Sequence, residues 1–218
     1  MERFKTIVLV AGISFFGFAF VAMGLSAYAI AGREKVLTVE ELLERDGVLE
    51  EFYDLERRFP EAFAEAFGHP STEAEWKAAQ AKALRTGRDT YIAEACWHCH
   101  SQYVRPVSNE DVRFGPVSRS SEYQNELQVP VLFGTRRVGP DLTREAKVRS
   151  NDWHAAHFWD PRSTSPVSVM PRYPWFFDAP RAPDRAPQPN FRGLSLIAYV
   201  QWLGSWTRNK DWSFSEPN

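Results

Sequence analysis

Cys96-Trp97-His98-Cys99-His100 holds both cysteines of the chain, three residues apart, with a histidine directly after the second. C-x-x-C-H is the spacing of c-type haem attachment: two thiols reach the two vinyl groups of one porphyrin as thioethers, and the adjacent imidazole reaches the iron. Three other chemistries use part of this pattern. A thioredoxin-like dithiol sits near a strand–helix unit, and no alternating strand pattern precedes Cys96. A zinc site needs two more ligands, and His154-x-x-His157 lies far beyond the usual spacing with its histidines one residue too close. A structural disulfide has no use for His100. The expectation is therefore one covalent haem c, attached at Cys96 and Cys99, with His100 on its iron.

The position opposite a haem c histidine commonly holds methionine or a second histidine, or nothing at all. Of the three methionines, Met1 starts the chain, Met23 lies in an apolar run, and Met170 stands in Val169-Met170-Pro171-Arg172-Tyr173-Pro174. A lone methionine more often fills a gap in a core, but the motif upstream makes Met170 the expected second metal ligand beside His100. His154 and His157 are the alternatives, though three residues apart on a short helix they read rather as surface groups or as groups standing behind the ligands. Gly139-Pro140-Asp141-Leu142 matters because a ligating histidine needs its other ring nitrogen held by an acceptor. A Gly-Pro turn would offer the Pro140 carbonyl. Arg136 and Arg137, just before it, would pair with haem propionates, unless they are simply an exposed pair.

These groups need elements to hold them. Ile7 to Ile30 is 24 residues without a charge, flanked by Glu2, Arg3 and Lys5 and by Arg33, Glu34 and Lys35. As a helix it would run about 36 Å, enough to cross a bilayer core. A signal peptide cleaved near Ala27-Tyr28-Ala29 is the rival, but a typical signal core is only ~7–15 residues. A retained anchor is expected over residues 1–35. The nearby Lys and Arg (Arg3 and Lys5 before; Arg33, Lys35 and Arg45 after) do not decide its orientation. Haem attachment does, because it happens outside the bacterial cytoplasm and places the rest of the chain in the periplasm.

Residues 36–85 read as a helical, mostly solvated extension. Capping boxes are expected at Thr38–Glu41 and Thr72–Glu75. Phe52, Leu55, Phe59, Phe63 and Phe67 form one aromatic stripe, expected to pack on its own domain rather than on a partner. Pro60 starts a helix that Gly68 ends. A short helix follows over 87–95, then loops to Gly139, and a helix over 151–159 capped by Ser150. Pro161, Pro166, Pro171, Pro174, Pro180, Pro183, Pro187 and Pro189 exclude a regular helix from 160 to 190. A last helix spans Leu194 to Leu203 and closes at Gly204. The haem domain is thus expected over 86–206, with a tail at 207–218. Net charge is −2, so no basic excess exists to hold a nucleic acid.

A helix into C-x-x-C-H, a Gly-Pro-x-Leu turn, a distal methionine loop and a C-terminal helix crossing the first resemble a class I cytochrome c. The likeness extends further. Cys96 to Pro106, Gly134 to Leu142, Asp152 to His157, Met170 to Trp175 and Ala198 to Gly204 resemble the mono-haem subunit (subunit II) of cbb3-type cytochrome c oxidases. The resemblance implies a mainly α fold, one N-terminal transmembrane helix plus a periplasmic cytochrome c-like domain with long Pro-rich loops. It implies thioethers at Cys96 and Cys99 and iron ligands His100 and Met170. Electrons would come from a cytochrome c or a second haem c subunit and pass to the catalytic haem–copper subunit, with no active site in this chain. In that family a loop before the Gly-Pro turn approaches a calcium; Thr135 stands where its serine would be. The extension over 36–85 is longer than the family's linker, and the stretch after Met170 is shorter. Alternatives are the cytochrome subunit of a nitric oxide reductase and a free-standing membrane-tethered carrier.

Overall fold

The structure, a computed structural model, describes residues 1–32, 35–179 and 187–208. Arg33 and Glu34 of the charged flank, Pro180 and Pro183, and the tail from 209 onward lie outside the described residues. The chain divides into two compact units between Val36 and Leu37. In the first, α1 (Glu2–Ala19) runs through a π-helical turn (Phe20–Leu25) into α2 (Ser26–Ala31). Together they form one stretch, Glu2–Ala31, long and apolar enough to cross a membrane, with none of its side chains buried.

The second unit is helical, with no named strand among the described residues. α3 (Val39–Asp46) and α6 (Glu73–Ala93) both open with the expected reciprocal caps, Thr38 with Glu41 and Thr72 with Glu75. Each cap satisfies two orphan N–H groups. Between them, α4 (Glu50–Arg58) and α5 (Pro60–Phe67) meet at Pro60, which supplies the fixed φ of a first helical turn. The extension is less solvated than its sequence indicated: Val39, Leu42, Phe52, Leu55 and Phe63 join one core with the rest of the domain. The aromatic stripe closes on Trp76 of α6 and on Phe191, with Phe63 5.6 Å from Trp76 and Phe67 5.6 Å from Phe191.

The centre is the crossing of α6 with α11 (Phe191–Trp202). α11 begins three residues before its expected start because Asn190 caps Arg192 and Gly193. It is buried all round from Gly193 to Trp202 rather than on one face, as a helix wrapped by neighbours must be. Gly87 lets the two axes close up, since a Cβ there would lie 2.1 Å from the Ser195 carbonyl oxygen. Residues 87–93 are the last turns of α6 rather than a separate short helix. The glycine costs about 1 kcal/mol of helix propensity, which the packing overrides.

α7 (Cys96–Cys99), α8 (Glu110–Phe114), α9 (Asn151–Trp159), α10 (Pro161–Thr164) and α12 (Ser205–Arg208) complete the helices. Ser150 caps α9 as expected, accepting from the Trp153 N–H at 3.2 Å.

Candidate haem site

α6 delivers the Cys96–His100 motif. It ends at Ala93, and Ala95 adopts a left-handed φ of 58° that turns the chain into α7. The buried Tyr91 hydroxyl, one turn back, donates to the His100 carbonyl at 3.2 Å. Both thiols are free. Burial, reinforced by Glu94, pushes the Cys96 thiol up to about 12.

Residues 98–102 are laced to the segment 132–142 by backbone bonds. The N–H groups of Thr135 and Arg136 donate to the His98 carbonyl, Gly139 to Cys99 and Leu142 to Ser101. His100 Nδ1 lies 2.9 Å from the Pro140 carbonyl oxygen. A carbonyl only accepts, so Nδ1 carries the proton and Nε2 keeps its lone pair. Burial lowers the His100 pKa against the opposing pull of that carbonyl, which keeps the ring neutral as metal ligation requires. Gly139 is demanded by space: a Cβ there would sit 2.3 Å from His100 Cε1.

A cavity of about 910 Å³ opens beside the motif. Cys96, Cys99, His100, Pro140 and Met170 all line it. The volume lies at the upper end of the ~300–1,000 Å³ usual for cofactor pockets. Met170 is partly buried against the core, and its N–H is 3.2 Å from Ser168 Oγ. Val138, Val148, Val167 and Val169 stand exposed at the rim.

His154 and His157 also line the cavity. His154 is no surface residue: it is 3% exposed, and burial lowers its pKa to about 3, helped by His157 and Arg149. Its Nε2 has no hydrogen-bond partner among the described residues and lies 3.9 Å from Glu145 Oε1. His157 stacks on Trp153 at 4.5 Å and pairs Nδ1 with Thr164 Oγ1 at 2.6 Å. Burial, then His100 and Arg149, lower its pKa to about 4.

Arg136 and Arg137 are placed differently from their sequence expectation. Neither lines the cavity. Arg136 is exposed, whereas Arg137 is turned inward to Glu110, Asp141 and the Tyr103 carbonyl. Arg113, Arg144 and Arg149 line the cavity instead. Arg144 already bonds Glu122 at 2.9 Å and the Pro116 carbonyl. No motif marked Arg113 or Arg149, because their role depends on which loop borders the cavity. Among the described residues no three His, Cys, Asp or Glu side chains gather as a separate metal site.

The residues fit a haem. The glycine-flattened wall over His100, the free imidazole nitrogen, two free thiols and an unpartnered buried His154 nitrogen all meet in one cavity. Two crossing helices, a C-x-x-C-H turn between them and a Gly-Pro wall define a cytochrome c-like domain, preceded by an apolar helix. Residues 72–190, more than half of the chain, match the family described as cytochrome c oxidase, mono-heme subunit/FixO. The chain belongs to that family, the mono-haem subunits of cbb3-type cytochrome c oxidases. No curated protein shows significant similarity to it.

Proposed function

We propose that the chain is a membrane-anchored electron-transfer subunit that holds one covalent haem c. The observation that carries this reading is the single cavity lined by Cys96, Cys99, His100 and Met170, with His100 Nδ1 tied to Pro140. Cys96 and Cys99 would hold the haem through thioethers, and His100 Nε2 and the Met170 sulfur would be the groups offered to its iron. A haem held there supplies one reversible electron at a potential raised by methionine ligation. With both iron ligands supplied by the protein, no site would remain for dioxygen, so the chain would relay electrons rather than reduce a substrate. Arg149 is the group that would take a haem carboxylate.

In this reading the Glu2–Ala31 helix spans the bacterial inner membrane with its N-terminus in the cytoplasm and the haem domain in the periplasm. Electrons arrive from a cytochrome c or a second haem c subunit and leave to the haem–copper catalytic subunit. The test is a haem and metal inventory of the complex that purifies with the chain in mild detergent. Haem b and copper beside haem c are expected. Haem b with non-haem iron and no copper would point to a nitric oxide reductase, and haem c alone to a tethered carrier.

A further inference from the structure

We infer that Asp141, braced by Arg137 and Glu110, is a positioning residue that fixes the hydrogen bond between His100 and Pro140 and thereby sets the haem potential. This rests on His100 being an iron ligand. Asp141 follows Pro140, the acceptor of the imidazole N–H, and Ser101 follows His100, the donor. The Asp141 side chain is fully buried and joins the two. Its Oδ2 accepts from the Ser101 hydroxyl and, at 3.0 Å, from the Tyr103 N–H. Its Oδ1 accepts from the Thr143 N–H at 2.8 Å. One carboxylate thus holds both sides of the His100–Pro140 contact.

The brace lies behind it. Arg137 takes a left-handed φ of 49° and sends its guanidinium inward, donating to Glu110 and to the Tyr103 carbonyl, with Nη2 3.4 Å from Asp141 Oδ2. Glu110 in turn accepts the Arg105 N–H at 2.8 Å. Burying carboxylates and a guanidinium is costly and seldom adds net stability over an apolar core. What such a cluster provides here is register between two loop segments that share no sheet. An acceptor fixed on Nδ1–H makes a metal-bound imidazole a stronger donor, which favours ferric iron and lowers the potential. Loosening the clamp therefore raises the potential.

Charge and position are separable, because they disagree in sign at Arg137. If charge alone mattered, removing the cation would favour ferric iron, so Arg137→Met would lower the midpoint potential. The clamp predicts that Arg137→Met raises it, as Asp141→Ala does. Ser101→Ala keeps every charge and removes one bond; it should give a smaller rise, with faster solvent exchange of the hyperfine-shifted His100 Nδ1–H signal. It also serves if the buried-charge variants fail to fold. A fall in Arg137→Met, or an unmoved midpoint and exchange rate in Ser101→Ala, overturns the inference. The wild-type spectrum keeps the two readings apart. Absence of imidazole-ligated low-spin haem would remove the ligand assignment itself. Its presence with unmoved midpoints would remove only the clamp.

Discussion

The wall that carries His100 and the loop that carries Met170 are built to different standards. His100 sits in a backbone lattice with 132–142, backed by a glycine that nothing larger can replace and by a buried ionic cluster. The Met170 loop is held by the Met170–Ser168 and Ser168–Ser165 bonds on one side and by the Tyr173 N–H to the Phe158 carbonyl on the other. Val167 and Val169 in that loop are 92% and 74% exposed. A segment with few buried contacts opens at low cost. If both groups hold the iron as proposed, the difference teaches which would yield first: the imidazole is fixed by the fold, and the thioether by a short proline-bounded loop.

The sharpest way to break this contrast is to damage the rigid wall. Gly139→Val should displace the His100 ring outright, because even a Cβ would sit 2.3 Å from Cε1. Overpacking a well-packed site costs ~1–3 kcal/mol, and here the ring has the Pro140 carbonyl to lose as well. The expected result is little or no low-spin haem protein, read from the reduced optical spectrum. On the opposite side, Met170→Ala should leave the haem covalently attached while the midpoint potential falls by an appreciable part of the roughly 0.8 V that axial ligands span. Redox titration checks it.

Acid provides the third test. His154 is held neutral in the fold at a pKa of about 3, against an ordinary 6.5. Between those values the unfolded chain binds a proton that the folded chain refuses, so stability falls as pH drops through 6.5 and the loss levels off near 3. At pH 5 the penalty is about 2 kcal/mol. Chemical denaturation of the haem-loaded domain at pH 7 and pH 5 should show it, and His154→Gln should flatten the slope. The smallest expected effect is Ser168→Ala, which removes a loop hydrogen bond worth about 1 kcal/mol. It should speed displacement of Met170 by added imidazole without altering haem content.

Legibility in the sequence followed the range of the interactions. Local signals read true: the capping boxes at Thr38 and Thr72, Pro60 opening α5, Ser150 capping α9. So did the closure of the aromatic stripe on its own domain. What failed was long-range. Gly87 reads as a helix breaker until Ser195 is seen packed against it. Arg136-Arg137 reads as an anion site until the positive φ at Arg137 turns that side chain inward. Asp141 reads as one residue of a turn, because its partners Ser101 and Tyr103 are 40 and 38 residues away in the chain. His154 looks like a surface helix residue because the packing of its helix on α4 and α11, both remote in sequence, cannot be read locally.

The measurement that bears most directly on the central claim is the near-infrared charge-transfer band of thioether-ligated ferric haem, recorded for the wild-type chain and for Met170→Ala. The account predicts the band in the wild type and its loss in the variant, with the haem still covalently attached through Cys96 and Cys99. A band that survives in Met170→Ala, or a wild-type spectrum of bis-histidine ligation through His154 or His157, would contradict it.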